Sequence, residues 1–251
     1  MAQATTIKEV LKELDIIIEQ SIKENSRIGF FAYVYRRTTA EIASEIALGN
    51  FENNQRLETF DVVFANLYLK AYEAHKNNQP NSAAWTFTFD KVQNPLTILQ
   101  HIMLGMNAHI NLDLAIATAS TMAGSDIKSI ENDFNKVNDI LFQITNELQD
   151  RLSKASPLLF VLDWLGSTKD EQILDFSMRK ARKQAWNSAQ LLWTLGESQN
   201  EVAKIELDHL VVKLSEIIES PKTIILRFLL KVVRFFETKK VALIINKLKA
   251  D

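Results

Sequence analysis

Residues 96–117 read LTILQHIMLGMNAHINLDLAIA, and this string constrains the fold more than any other part of the chain. A helix on the surface of a domain carries an apolar stripe and a polar face. Here Ile98, Leu99, Met103, Leu104, Met106, Ile110, Leu112 and Leu114 fall all the way round the helical circumference, so the segment has to be covered on every side. Asn94-Pro95 opens this helix, with proline at the first helical position, and Gly124 closes it, which sets a central helix over 95–123. A helix in that position implies a bundle whose other members wrap it.

The remaining punctuation agrees. Glycine and proline number 6 and 4 in 251 residues, too few for the turns of a sheet protein of this size. Thr6 with Glu9 reads as a capping box for a helix over 6–24, Ser26 as the cap of a second that runs to Gly49, and a third covers 53–76. After the loop 77–82 comes a short helix or extended piece over 83–92, in which Trp85, Phe87 and Phe89 alternate as in a strand, although one short strand has nothing to pair with. Further helices follow over 126–154, from Pro157 to Gly166, from a second capping box at Thr168 and Glu171 to Gly196, and over 199–219, 222–236 and 238–248. The expected fold class is all-α: one domain over 1–251, a bundle of about nine to eleven helices around the buried helix 95–123.

Composition narrows the function classes. Net charge is −2, which gives no support for a nucleic-acid partner. There are no cysteines, so disulfides, thiolate metal sites and cysteine nucleophiles are excluded. The start, MAQATTIKEVLKELD, lacks the basic-then-apolar pattern of a secretory signal, and no apolar run is long enough to span a bilayer. The expectation is a cytoplasmic protein with no transmembrane segment, and the sequence leaves its oligomeric state open.

The buried helix also carries His101, Asn107, His109, Asn111 and Asp113. Each buried polar group costs about 1–3 kcal/mol if left unpaired, so each needs a partner. One side of the helix shows His101, a gap at Gly105 and Ala108, then His109 and Asp113; Asn107 and Asn111 fall on the opposite side. His109 and Asp113, four apart, share a face. That spacing suits joint binding of one metal ion, a base oriented by a carboxylate, or a structural network. His101 stands two turns earlier, roughly 12 Å along the axis, out of reach of the same ion. Gly105 leaves room for a substrate or another backbone.

Other segments supply candidates. Asp61 and Asn66 sit among Phe60, Val63 and Phe64, and Asp61 needs a partner such as Arg36, Arg37 or His109 or serves as a site carboxylate. Arg182 and Trp186, one turn apart, can clamp an anionic substrate or form a solvated face. The run TIILRFLLKVVRFFETKK is apolar with Arg227, Lys231 and Arg234 spaced along it. It reads either as a closing core helix with a basic outer stripe or as a peripheral membrane or partner contact through 222–240.

The string Gln100-His101 followed by Gly105-Met106-Asn107-Ala108-His109-Ile110-Asn111-Leu112-Asp113 resembles the hallmark of an uncharacterised bacterial domain-of-unknown-function family. Tyr35-Arg36-Arg37, Asp61 to Asn66, Asp133-Phe134 with Val137-Asn138, Arg182 with Ala185-Trp186, and Arg234-Phe235-Phe236 resemble it too. That likeness implies kinship and no activity. More weakly, His109-x-x-x-Asp113, with Asp61 and His75 earlier in the chain, is similar to the α-helical zinc-dependent phospholipase C and nuclease superfamily, which implies a divalent metal. The chain departs from that pattern in having only four histidines and no full trinuclear ligand set.

Two readings follow. In the first the chain is an enzyme, a metal-dependent hydrolase for a substrate with an apolar part. His109 and Asp113 bind zinc or iron or act as base and orienter, and His101 and Asp61 are further catalytic groups. Asn66, Asn107, Asn111, Arg182 and Trp186 then contact a small-molecule or lipid-like substrate, with walls from Phe64 and Met106. In the second it is a non-catalytic helical protein that binds an apolar ligand or a partner helix.

Overall fold

The central segment is one helical rod, and its ends are tied to residues far away in sequence. In the computed structural model, which describes residues 3–156 and 178–249, α5 (Ile98–Ala108) runs through a π turn at His109–Asp113 into α6 (Leu114–Thr121). The rod starts at Ile98 and not at Pro95, because Thr97 is the better cap. Its hydroxyl accepts from Gln100 N at 3.1 Å, and Gln100 Oε1 accepts from Thr97 N at 3.1 Å, a complete capping box. Gln100 Nε2 then donates to Ile218 O at 2.8 Å and Glu219 O at 3.0 Å, filling orphan carbonyls at the end of another helix.

Around the rod lie α1 (Ile7–Lys23), α2 (Ile28–Ala47), α3 (Asn54–Lys76), α4 (Ala83–Asp90), α7 (Glu131–Ala155), α8 (Met178–Leu195), α9 (Glu201–Glu219), α10 (Ile224–Phe236) and α11 (Val241–Lys249). A 3₁₀ turn, Ile127–Ile130, leads into α7. Among the described residues there are eleven α-helices and no strand, so the all-α expectation holds. Trp85, Phe87 and Phe89 belong to α4 and not to a strand. The helices α2, α3, α4, α8 and α9 pack directly on the rod, and one continuous apolar core joins them. No helix among the described residues is long and apolar enough to cross a membrane. The expected helix from Pro157 to Gly166 and the Thr168–Glu171 box lie outside the described residues.

Three helix starts depend on carboxylates brought from elsewhere, which local sequence patterns do not reveal. Asp133 accepts from Glu52 N and Asn53 N at 2.7 and 3.1 Å, ahead of α3. Asp208 accepts from Ala83 N and Ala84 N at 2.6 and 2.8 Å at the start of α4. Glu237, buried, accepts from Ile98 N at 3.0 Å and from Ser156 Oγ at 2.7 Å. Each places negative charge where exposed N–H groups and the helix dipole favour it. Two local caps differ from expectation. Glu9 reaches Thr5 N, one residue short of the reciprocal partner of Thr6, and α2 begins without a side-chain cap from Ser26.

The gap expected at Gly105 is filled. Phe31 of α2 lies so close that a Cβ at this position would stand 2.4 Å from its Cγ. Glycine here serves close helix–helix approach and leaves no room for a substrate. Gly105→Ala therefore destabilises the protein by about 1–3 kcal/mol, despite the better helix propensity of alanine. Denaturant unfolding measures this, and an unchanged midpoint would contradict the packing described.

Candidate functional site

The π turn places an imidazole and a carboxylate in direct contact. His109 Nδ1 lies 2.9 Å from Asp113 Oδ2, both residues being buried. The same oxygen accepts from Trp85 Nε1 of α4 at 3.0 Å. An oxygen that already accepts from an indole N–H takes the proton of His109 as well, so Nδ1 is the donor. Nε2 is then the basic nitrogen, and it has no hydrogen-bond partner. Extra-residue turns of this kind recur at functional sites because they re-aim side chains within a rigid helix.

Aromatic rings enclose the imidazole. Phe64 of α3 stacks on it with centroids 3.7 Å apart and planes at 9°, and Tyr35 of α2 meets it edge-on at 4.3 Å. Phe31, Tyr68 and Trp85 stand at 5.7, 6.0 and 6.2 Å. Burial pushes the His109 pKa down, opposed by its hydrogen bond to Asp113. Burial likewise raises Asp113, opposed by His109 and Trp85.

His109 forms one wall of a cavity of about 60 Å³ between α2, α3, the rod, α7 and α8, enough for a few waters. Its walls are mainly apolar, among them Val34, Ile42, Leu57, Phe60, Met106 and Leu114. The polar groups on it are His109, Asp61, Tyr35, Thr38 and Arg182. Asp61, one helical turn before Phe64, has a buried Oδ2 with no partner. Burial, with help from Glu58, pushes its pKa up to about 7, against the pull of Arg182. Arg182 of α8 is held by Asn138 Oδ1 at 2.5 Å and Phe134 O at 2.6 Å and lies 4.3 Å over the Phe134 ring. Burial lowers its pKa to about 9, opposed by Asp61.

The structure thus gathers His109, Asp113, Asp61 and Arg182 at one place and separates the other candidates from it. The partners expected for Asp61 go elsewhere: Arg36 pairs with Asp15, and Arg37 with Glu41 and Glu147. Asn66 clasps Ala4, donating to its carbonyl and accepting from its N–H. Asn107 donates to Val211 O and Ser215 Oγ, and Asn111 donates to Asn107 Oδ1, on the opposite side as expected. Trp186 does not line the cavity; it packs on Phe134 at 5.0 Å, one layer behind. His101 faces another small space, bounded by Arg27, Phe31, Trp85 and Gly105. Burial, reinforced by Arg27 and Arg234, lowers its pKa to about 3, so it stays neutral. His75 stacks on Phe89 and does not meet Asp61 at the cavity.

As joint metal ligands His109 and Asp113 fit poorly. They are bonded to each other, and Trp85 occupies the same carboxylate oxygen. Among the described residues no three His, Asp or Glu side chains gather as a ligand set. Trp85 and Tyr35, which sequence reasoning passed over as site residues, are the main additions. Tyr35 stood in one of the family-like strings, whereas nothing near Trp85 in sequence pointed to Asp113.

Over residues 7–221 the chain matches a family of unknown function, DUF5995, and it belongs to that family. No curated protein and no solved structure matches it. The strings around Tyr35, Asp61, Asp133, Arg182 and the rod, scattered in sequence, meet at or just behind the cavity. Arg234-Phe235-Phe236 falls beyond the matched residues.

The raised pKa of Asp61 has a consequence for stability. A carboxyl that holds its proton more tightly when folded makes the protein lose stability as pH rises from the unfolded value near 4 to the folded value of about 7. Asp61→Asn removes this loss. Wild type and variant are expected to match near pH 4 and to diverge by up to about 1.4 kcal/mol per pH unit until about pH 7, the variant being the more stable. Urea titrations at several pH values test this; parallel pH profiles would show that Asp61 is not a strained carboxyl.

Proposed function

We propose that the protein is an enzyme whose reaction is acid–base chemistry in the cavity beside His109. One observation carries this reading. Gln100, Asn107, Asn111 and Asp113 on the rod all have partners, whereas three residues that line the same apolar space, His109, Asp61 and Tyr35, each keep a buried polar atom without one: Nε2, Oδ2 and the phenol oxygen; on the rod, His101 Nε2 beside the second small space shares this state. A purely structural network would be expected to satisfy these atoms.

In this reading His109 Nε2 takes a proton from water or from a substrate hydroxyl, and Asp113, fixed by Trp85, stabilises the imidazolium that results. Asp61, with a pKa close to neutrality, gives its own proton to the departing group, and the cycle closes when the imidazolium releases its proton to water and Asp61 takes one up again. Arg182 supplies positive charge for an oxygen that becomes negative. Hydrolysis of an ester-type bond uses all four roles. The small apolar cavity favours a substrate with a short apolar group beside that bond. A resident zinc or iron would have to use His109 Nε2 and Asp61.

The apolar walls also support a second reading, capture of a small apolar ligand without turnover. His109→Gln separates the two. With short-chain p-nitrophenyl esters as substrates, the enzyme reading expects turnover to fall about 10²–10⁴-fold while the helical circular dichroism is kept. Turnover within a few-fold of wild type would sink the acid–base role. Elemental analysis of both proteins decides the metal: an equivalent of zinc or iron in wild type, lost in the variant, would move the chemistry to the ion.

A further inference from the structure

The helix α10 sits with its apolar side outward. Phe235 is 82% exposed, Ile224 73% and Phe228 64%, and they line one outer face; Ile225 and Phe236 widen it. Leu226 and Val233 make the buried contact with the core. The closing-helix expectation, apolar side in and basic stripe out, is therefore not what the structure shows. Five large exposed apolar side chains in one helix of 13 residues form a patch and not the scatter normal for a soluble surface. The exposed Val202, Ile205 and Leu210 of α9, by contrast, alternate with Glu201, Lys204 and Glu206.

Charge identifies the occupant. Between Lys222 and Lys249 there are eight Lys and Arg and a single acid, in a chain of net charge −2. That acid, Glu237, is buried, capping the rod. Arg227 and Lys231 are exposed along the edge of the apolar face, and Lys222, Lys239 and Lys240 are exposed at its two ends. A second copy of this chain would bring one cationic patch against another, which repels. An anionic lipid surface complements both features: headgroups meet the cations while Ile224, Phe228 and Phe235 enter the acyl boundary.

We propose that α10 docks the protein on anionic membranes, lying in the plane of the interface. This surface lies outside the residues matched to the family and is independent of the reaction proposed for the cavity. The test is flotation of the full chain with vesicles of phosphatidylcholine alone, or with about a third phosphatidylserine. Binding is expected to be more than tenfold stronger on the anionic vesicles and to weaken with salt. Arg227→Glu with Lys231→Glu should weaken it more than tenfold, and Phe228→Asp with Phe235→Asp should abolish it. These side chains are exposed, so circular dichroism and Tm should not change. Absence of binding to anionic vesicles would overturn the proposal. So would a dimer in sedimentation that Phe228→Asp dissolves while wild type ignores vesicles.

Discussion

A helix covered on all sides cannot leave its polar side chains to water, and the structure is organised around this one requirement. Gln100 and Asn107 reach across to the backbone and a side chain of α9, fixing the rod against that helix from its start to its middle, and Asn111 braces Asn107 by donating to its Oδ1. Asp113 takes the indole of Trp85 and thereby fixes α4. Glu237 returns from the far end of the chain to cap Ile98. These contacts specify register and neighbour where apolar packing alone would tolerate sliding. Phe31 against Gly105 adds a steric lock of the same kind on α2.

Against that background the groups without partners stand out. The aromatic rings of Phe31, Tyr35, Phe64, Tyr68 and Trp85 enclose the His109 imidazole, while Asp113 sets its tautomer. Asp61 is held in the cavity wall at a cost to stability, shown by its raised pKa. A strained carboxyl on a cavity wall is the feature on which the proposed acid–base reading draws. Arg182, which lines the same cavity, offsets part of that cost through its charge.

The class of fold was legible because it rests on short-range physics. Scarce glycine and proline, and apolar residues round the full circumference of 96–117, leave a helical bundle as the economical solution. Gly49, Gly124 and Gly196 take positive φ just past helix ends, as their spacing implied. The i, i+4 relation of His109 and Asp113 and the opposite placement of Asn107 and Asn111 follow from helical geometry and were equally visible. Boundaries were less so: Thr97 displaced Pro95 as the start of the rod because a hydroxyl cap with Gln100 satisfies donors that proline merely lacks.

The sequence by itself determined that this chain is helical, that a helix placed at 95–123 lies at its centre, and which side chains on that helix must be reckoned with. Tertiary structure alone decided which of them face the cavity. It matched Trp85 to Asp113, Asn66 to Ala4 and Arg182 to Asn138, filled the Gly105 gap with Phe31, and turned the apolar side of α10 outward. The reason is physical: helix periodicity relates residues three or four apart, whereas these pairings join residues 28 to 74 apart along the chain, whose meeting depends on how whole helices pack.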